Sequence, residues 1–156
     1  MSPEVAWAFL LELTPENPQD GWRWRERRNR LAHDGEPESL LASWVASRGE
    51  RLLFVGNEPA GVLDDVRVVR AGVSDPRAGL AAADVAEGWV RSSHLGAVRR
   101  AHLLRPAEGH PNVILHVSEE LPPDPVPLLL LAADLADHEG PREVSRARSL
   151  IRQAIG

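Results

Sequence analysis

The hydrophobic pattern of the chain changes its period at Gly49, and this change constrains the fold more than any other feature. Before Gly49, apolar residues recur at helical spacing, as they do over residues 38–47. After it, they gather in short runs bounded by turn residues, of which RLLFV at 51–55, followed by Gly56, is the first. A chain that passes from helical to strand spacing in this way is typical of the α+β class.

Helices are predicted over six segments. The first begins with Ser2 as its cap and Pro3 at its first position, and it ends within residues 14–18. It is apolar on nearly every side, which indicates that it is buried or covered by a partner. In the run at 128–133, leucine and alanine without β-branching favour a helix over a strand. The other helices are predicted at about 21–32 with Asp20 as its cap, at 38–47, at 74–89 and at 143–155.

Two hairpins are predicted between the helices. Residues 51–55 pair with 66–70, and residues 98–104 pair with 112–117. The fold class that follows is α+β, with a small antiparallel sheet of four to five strands and helices packed mainly on one face. The length of 156 residues predicts a single domain over 1–156.

Composition excludes several kinds of site. The chain has no cysteine, which removes disulfides and thiolate metal sites, and no metal or other cofactor is predicted. Its net charge of −5 disfavours a dedicated nucleic-acid binder but leaves room for a local basic patch. No apolar run is long enough to span a membrane and no signal peptide is visible at Met1–Glu4, so the cytoplasm is the expected compartment.

The densest chemical feature is WRWRERRNR at residues 22–30, with five arginines and two tryptophans in nine positions. All 18 basic residues of the chain are arginine, which fits either a GC-rich genome or selection for stacking and bidentate pairing. Such a surface can bind a protein or stack on nucleic-acid bases. Alternatively, the tryptophans pack inward and the arginine stems cover apolar neighbours. The predicted partner-binding residues are Trp22, Arg23, Trp24, Arg27, Arg28 and Arg30.

Residues 28–33 (RNRLAH) resemble the Arg-Asn-x-x-x-His signature of HEPN-type ribonucleases. The resemblance implies a metal-independent nuclease in which His33 transfers a proton on the ribose 2′-hydroxyl. It also implies that Arg28 stabilises phosphate charge and that Asn29 supports the pair. Histidine and arginine suit these roles, since one titrates near neutral pH and the other can bind two phosphate oxygens. The resemblance covers six residues, and HEPN domains are all-helical, whereas hairpins are predicted here.

Two histidines are predicted to face each other in the second hairpin. If its loop centres on residues 108–109, His102 and His116 lie opposite across the strands. Two ligands without a third do not make a metal site, so these residues are interpreted as surface histidines on a half-exposed strand.

The absence of catalytic signatures favours a non-enzymatic adaptor or accessory subunit that binds a protein partner. Its contact surface is the 22–33 helix, the apolar N-terminal helix or an open sheet edge. The alternative is a HEPN-like ribonuclease or RNA-binding module that uses Arg28 and His33. A third interpretation is a subunit that is stable only within a larger complex.

Overall fold

The computed structural model describes residues 1–13, 17–82 and 84–156, so Thr14, Pro15, Glu16 and Ala83 lie outside the described residues. The chain forms two compact units. The first, unit one, consists of residues 1–48 and 127–156, and the second, unit two, of residues 49–126. The single domain predicted over 1–156 stays a prediction.

The described residues contain seven α-helices and five strands. The helices are α1 (Pro3–Leu10), α2 (Pro18–His33), α3 (Pro37–Trp44), α4 (Pro59–Leu63), α5 (Leu95–Ala101), α6 (Leu128–Ala136) and α7 (Pro141–Ile155). The strands are β1 (Glu50–Val55), β2 (Val68–Arg70), β3 (Ala86–Arg91), β4 (Arg105–Pro106) and β5 (Val113–Ser118). Among the described residues, no helix has the length and apolar character that a bilayer crossing needs.

Unit one is built around α6, whose residues 129–135 are all buried. A helix that is apolar on all sides needs neighbours on all sides, and α1, α3 and α7 supply them. The helix predicted for 128–133 is thereby confirmed. Helix α7 adds Ala147, Leu150 and Ile151 to this core. Arg148 of α7 donates two hydrogen bonds, of 2.7 and 3.0 Å, to the buried carboxylate of Glu38 on α3.

The helix boundaries of unit one differ from the prediction at the N-terminal side. Helix α1 ends at Leu10, and the predicted end at 14–18 lies partly outside the described residues. Helix α2 begins at Pro18 rather than at residue 21. Its cap is Asn17, not Asp20, because the Asn17 side chain accepts a hydrogen bond of 3.0 Å from the backbone N–H of Gln19.

Unit two contains a five-stranded open sheet with the order β2-β3-β5-β1-β4. Strands β3 and β5 are parallel and the other neighbours are antiparallel, so the purely antiparallel sheet predicted from two hairpins is wrong. One sheet face carries the core of this unit. Val90, Val113 and Leu115 pack there against Val62 of α4 and Val98 of α5.

In two segments of unit two the structure has a different secondary structure from the one predicted. The helix predicted at 74–89 is wrong because β3 occupies residues 86–91, where Gly88 permits close approach: an added Cβ would lie 2.9 Å from the Val69 carbonyl oxygen of β2. The strand predicted at 98–104 is wrong because most of it belongs to α5, whose leucine, alanine and arginine residues are good helix formers. Strands β3 and β5 are thus joined by a helical crossover, as parallel neighbours require.

Candidate functional site

A groove of about 340 Å³ opens between α1 and α2 in unit one. Both helices present side chains to it at spacings of three and four residues, so each contributes one helical face. The groove is lined by Glu4, Val5, Ala8, Phe9 and Leu13 on the side of α1 and by Asp20, Arg23, Trp24 and Arg27 on α2.

Apart from Glu4, the α1 wall of the groove is apolar, and it is partly open to solvent. Val5 and Leu13 are exposed, with 56% of Leu13 accessible. Phe9 lies at the base of this wall, where it is buried and packs edge-on against the Trp44 ring with 6.2 Å between ring centroids. Covering this wall removes apolar surface from water, which is favourable by roughly 25 cal/mol per Å².

The structure divides the six residues predicted to bind a partner. Arg23, Trp24 and Arg27 line the groove together. Trp22 is 59% exposed but lies on the opposite side of α2 from Arg27, because successive residues of a helix are rotated by about 100°. The predicted segment is therefore two separate surfaces.

Arg28 and Arg30 are held by other parts of unit one. Arg28 donates hydrogen bonds to Glu12 Oε1 at 2.9 Å and to the Ala154 carbonyl at 3.3 Å, and its guanidinium lies 4.8 Å from the centre of the Trp24 ring. Arg30 stacks over the Trp44 ring at 5.3 Å. These contacts support the helical packing of unit one and draw both side chains away from the groove.

Helix α2 is a positive element in a negative chain. It carries five arginines against Asp20 and Glu26, a net charge of +3, whereas the whole chain carries −5. Arg23 has a loose contact of 3.7 Å with Asp20, and both side chains are more than half exposed. Among the described residues, Arg27 has no ion-pair partner, so its charge is available to a ligand in the groove.

The geometry of Arg28 and His33 differs from that of a nuclease pair. The two residues are five positions apart on α2, which separates them by about 140° around the helix axis. His33 is exposed, and its Nδ1 lies 2.8 Å from the Asn29 carbonyl oxygen one turn earlier. Arg28 is occupied by Glu12 and Ala154, so the two side chains do not meet at one exposed point.

The histidine pair predicted across the second hairpin is wrong. His116 of β5 lies opposite Arg51 of β1, not opposite His102. It is buried, stacks on Trp89 with 5.0 Å between ring centroids, and places Nε2 2.6 Å from Glu87 Oε2. Glu87 also accepts a hydrogen bond from the Val73 backbone N–H at 3.0 Å, so the pair is an enclosed polar element of unit two.

His102 lies at the end of α5 and contacts Asp65, with 2.8 Å between Nε2 and Oδ2. Asp65 also accepts two hydrogen bonds from the Arg67 guanidinium. The Arg67 contact, with a smaller contribution from His102, holds the pKa of Asp65 well below its usual range although burial opposes this. The carboxylate therefore stays ionised near neutral pH and ties the chain before β2 to the end of α5.

The described residues contain no group of three or more histidine, aspartate or glutamate side chains placed to hold a metal ion. The sequence offers the apolar N-terminal helix as a contact surface because its apolar stripe is wider than one buried face needs, but it does not select Val5, Ala8 and Leu13 within that segment. The buried Glu87 was missed. Comparison with protein-family models, with curated proteins and with solved structures found no match to this chain.

Proposed function

We propose that this chain is a non-enzymatic accessory protein that binds a protein partner through the groove between α1 and α2. The observation that carries the proposal is the groove itself, in which exposed Val5 and Leu13 face Arg23 and Arg27. Protein interfaces combine apolar anchors of this kind with arginine and tryptophan.

Two polar groupings of the chain favour this proposal over an enzymatic one. The Arg28 guanidinium is bound within unit one, and the Glu87–His116 pair is closed to solvent. A general acid or base must reach the proton that it transfers, and the buried Glu87 and His116 are not accessible to a substrate in solvent. The groove offers apolar contact area beside Arg23 and Arg27, and both features serve binding.

Site-specific photocrosslinking tests the proposal in the native host. Benzoylphenylalanine replaces Leu13 in the full chain, and in a matched variant it replaces Leu103, an exposed leucine of unit two that is 71% accessible. We expect a covalent adduct of one defined mass at position 13 that survives nuclease treatment and is absent at position 103. Equal adducts at both positions, or loss of the adduct at position 13 with ribonuclease, would contradict the proposal.

A further inference from the structure

The secondary structure expected of the partner segment follows from where its backbone N–H and C=O groups can form hydrogen bonds. The groove is lined by side chains of two helices whose backbone groups are bonded internally except at the helix ends, so it offers few partners to an extended peptide. A helix brings its backbone hydrogen bonds with it and can be buried against apolar side chains without loss. The rows of side chains at three- and four-residue spacing on α1 and α2 also form the ridges into which a third helix packs.

The charge expected of the partner follows from the two arginines of α2 that line the groove. Arg27 lines the groove without an ion-pair partner among the described residues, and Arg23 is only loosely engaged by Asp20. Glu4 and Asp20 are the acidic residues of the lining, but each lies in the first turn of its helix, where the helix dipole offsets negative charge. Of the five arginines of α2, Arg23 and Arg27 line the groove, and they favour carboxylates beside the apolar contacts.

We propose that the occupant of the groove is an acidic amphipathic helix of a partner protein. Its apolar stripe packs on Val5, Ala8 and Leu13, and its carboxylates bind Arg23 and Arg27. This inference rests on the proposed function and names the chemical class of the partner segment.

The probe is a displayed library of random 16-residue peptides, selected against the full chain. We expect the selected peptides to carry Leu, Ile or Phe at helical spacing with Asp or Glu between them. In fluorescence polarisation, Arg27→Glu should weaken binding of such a peptide about tenfold or more, which corresponds to the loss of one charge contact. Arg25→Glu makes the same charge change on the exposed far side of α2 and should change the affinity less than about twofold.

The outcomes separate this inference from the proposed function. Neutral or basic peptides whose binding is abolished by Leu13→Asp would overturn the acidic helix and leave the groove as the partner site. Peptides that bind Leu13→Asp as well as the wild-type chain would overturn the inference. A dimer of this chain in sedimentation that dissociates in Leu13→Asp would make a second copy the occupant and also overturn it. Far-UV circular dichroism of each variant verifies that the total helix content is unchanged.

Discussion

Replacement of Asp134 by alanine is expected to lower the free energy of unfolding by about 3–5 kcal/mol, because it leaves a buried arginine without its main counter-charge. Arg48 is almost fully buried and donates hydrogen bonds from Nε and Nη2 to Asp134 Oδ1 at 3.1 and 3.0 Å. Burial acts to lower the pKa of Arg48, but the charges of Asp134 and Asp137 outweigh it and raise that pKa. The arginine stays charged in the variant, because a guanidinium is not deprotonated in proteins and Asp137 still binds it. The measurement is guanidinium chloride unfolding followed by circular dichroism.

Two further variants make this prediction specific. Asp137 also binds Arg48, with 2.6 Å between Oδ2 and Nη2, but its side chain is 28% exposed, so Asp137→Ala should cost only about 1 kcal/mol. The double variant Arg48→Met/Asp134→Leu replaces the buried pair with apolar side chains and should regain much of the lost stability. Equal losses for Asp134→Ala and Asp137→Ala would show that burial of the pair does not control its contribution.

The second large effect is expected at Gly72, where alanine should destabilise the chain by about 3 kcal/mol. Gly72 has a φ of +50°, and a Cβ added there would overlap the carboxylate of Glu87. That carboxylate is buried and bound to Val73 and His116, so it has no free space into which to move. The free energy of unfolding is measured by the same denaturant titration.

Gly79 is the matched control, since it has a φ of +66° and nothing within 4 Å of an added Cβ. Gly79→Ala therefore carries only the backbone penalty of about 1 kcal/mol. A loss at Gly72 no larger than the loss at Gly79 would mean that contact with Glu87 does not limit this position.

The local hydrophobic pattern is sufficient to predict a helix or strand where that segment has a clear periodicity of its own. The strands at 51–55 and 112–117 and the helices at 128–133 and 143–155 are confirmed, with shifted ends, because each has a clear apolar pattern. The helix predicted over 74–89 is wrong at residues 86–89 because β3 is defined by its neighbours β2 and β5, which no local window contains. The parallel pairing of β3 with β5 is likewise a property of the whole sheet.

The candidate site was predictable in part for the same reason. The arginine and tryptophan content of α2 is visible in the sequence, and so is the wide apolar surface of α1. Which arginines face the groove depends on contacts far along the chain, such as those of Arg28 with Glu12 and Ala154. Sequence spacing alone therefore assigns Arg27 and Arg28 to one partner-binding set, whereas in the structure Arg27 lines the groove and Arg28 binds Glu12 and Ala154.

The most direct test of the groove as the binding surface is methyl NMR of the full chain during titration with a selected peptide. Val and Leu methyl groups report on both units, because Val5 and Leu13 lie in the groove and Val66 and Leu103 are exposed in unit two. We expect the methyl resonances of Val5 and Leu13 to shift in a saturable manner and those of Val66 and Leu103 to stay unchanged. Shifts at Val66 and Leu103 with Val5 and Leu13 unchanged would contradict this expectation.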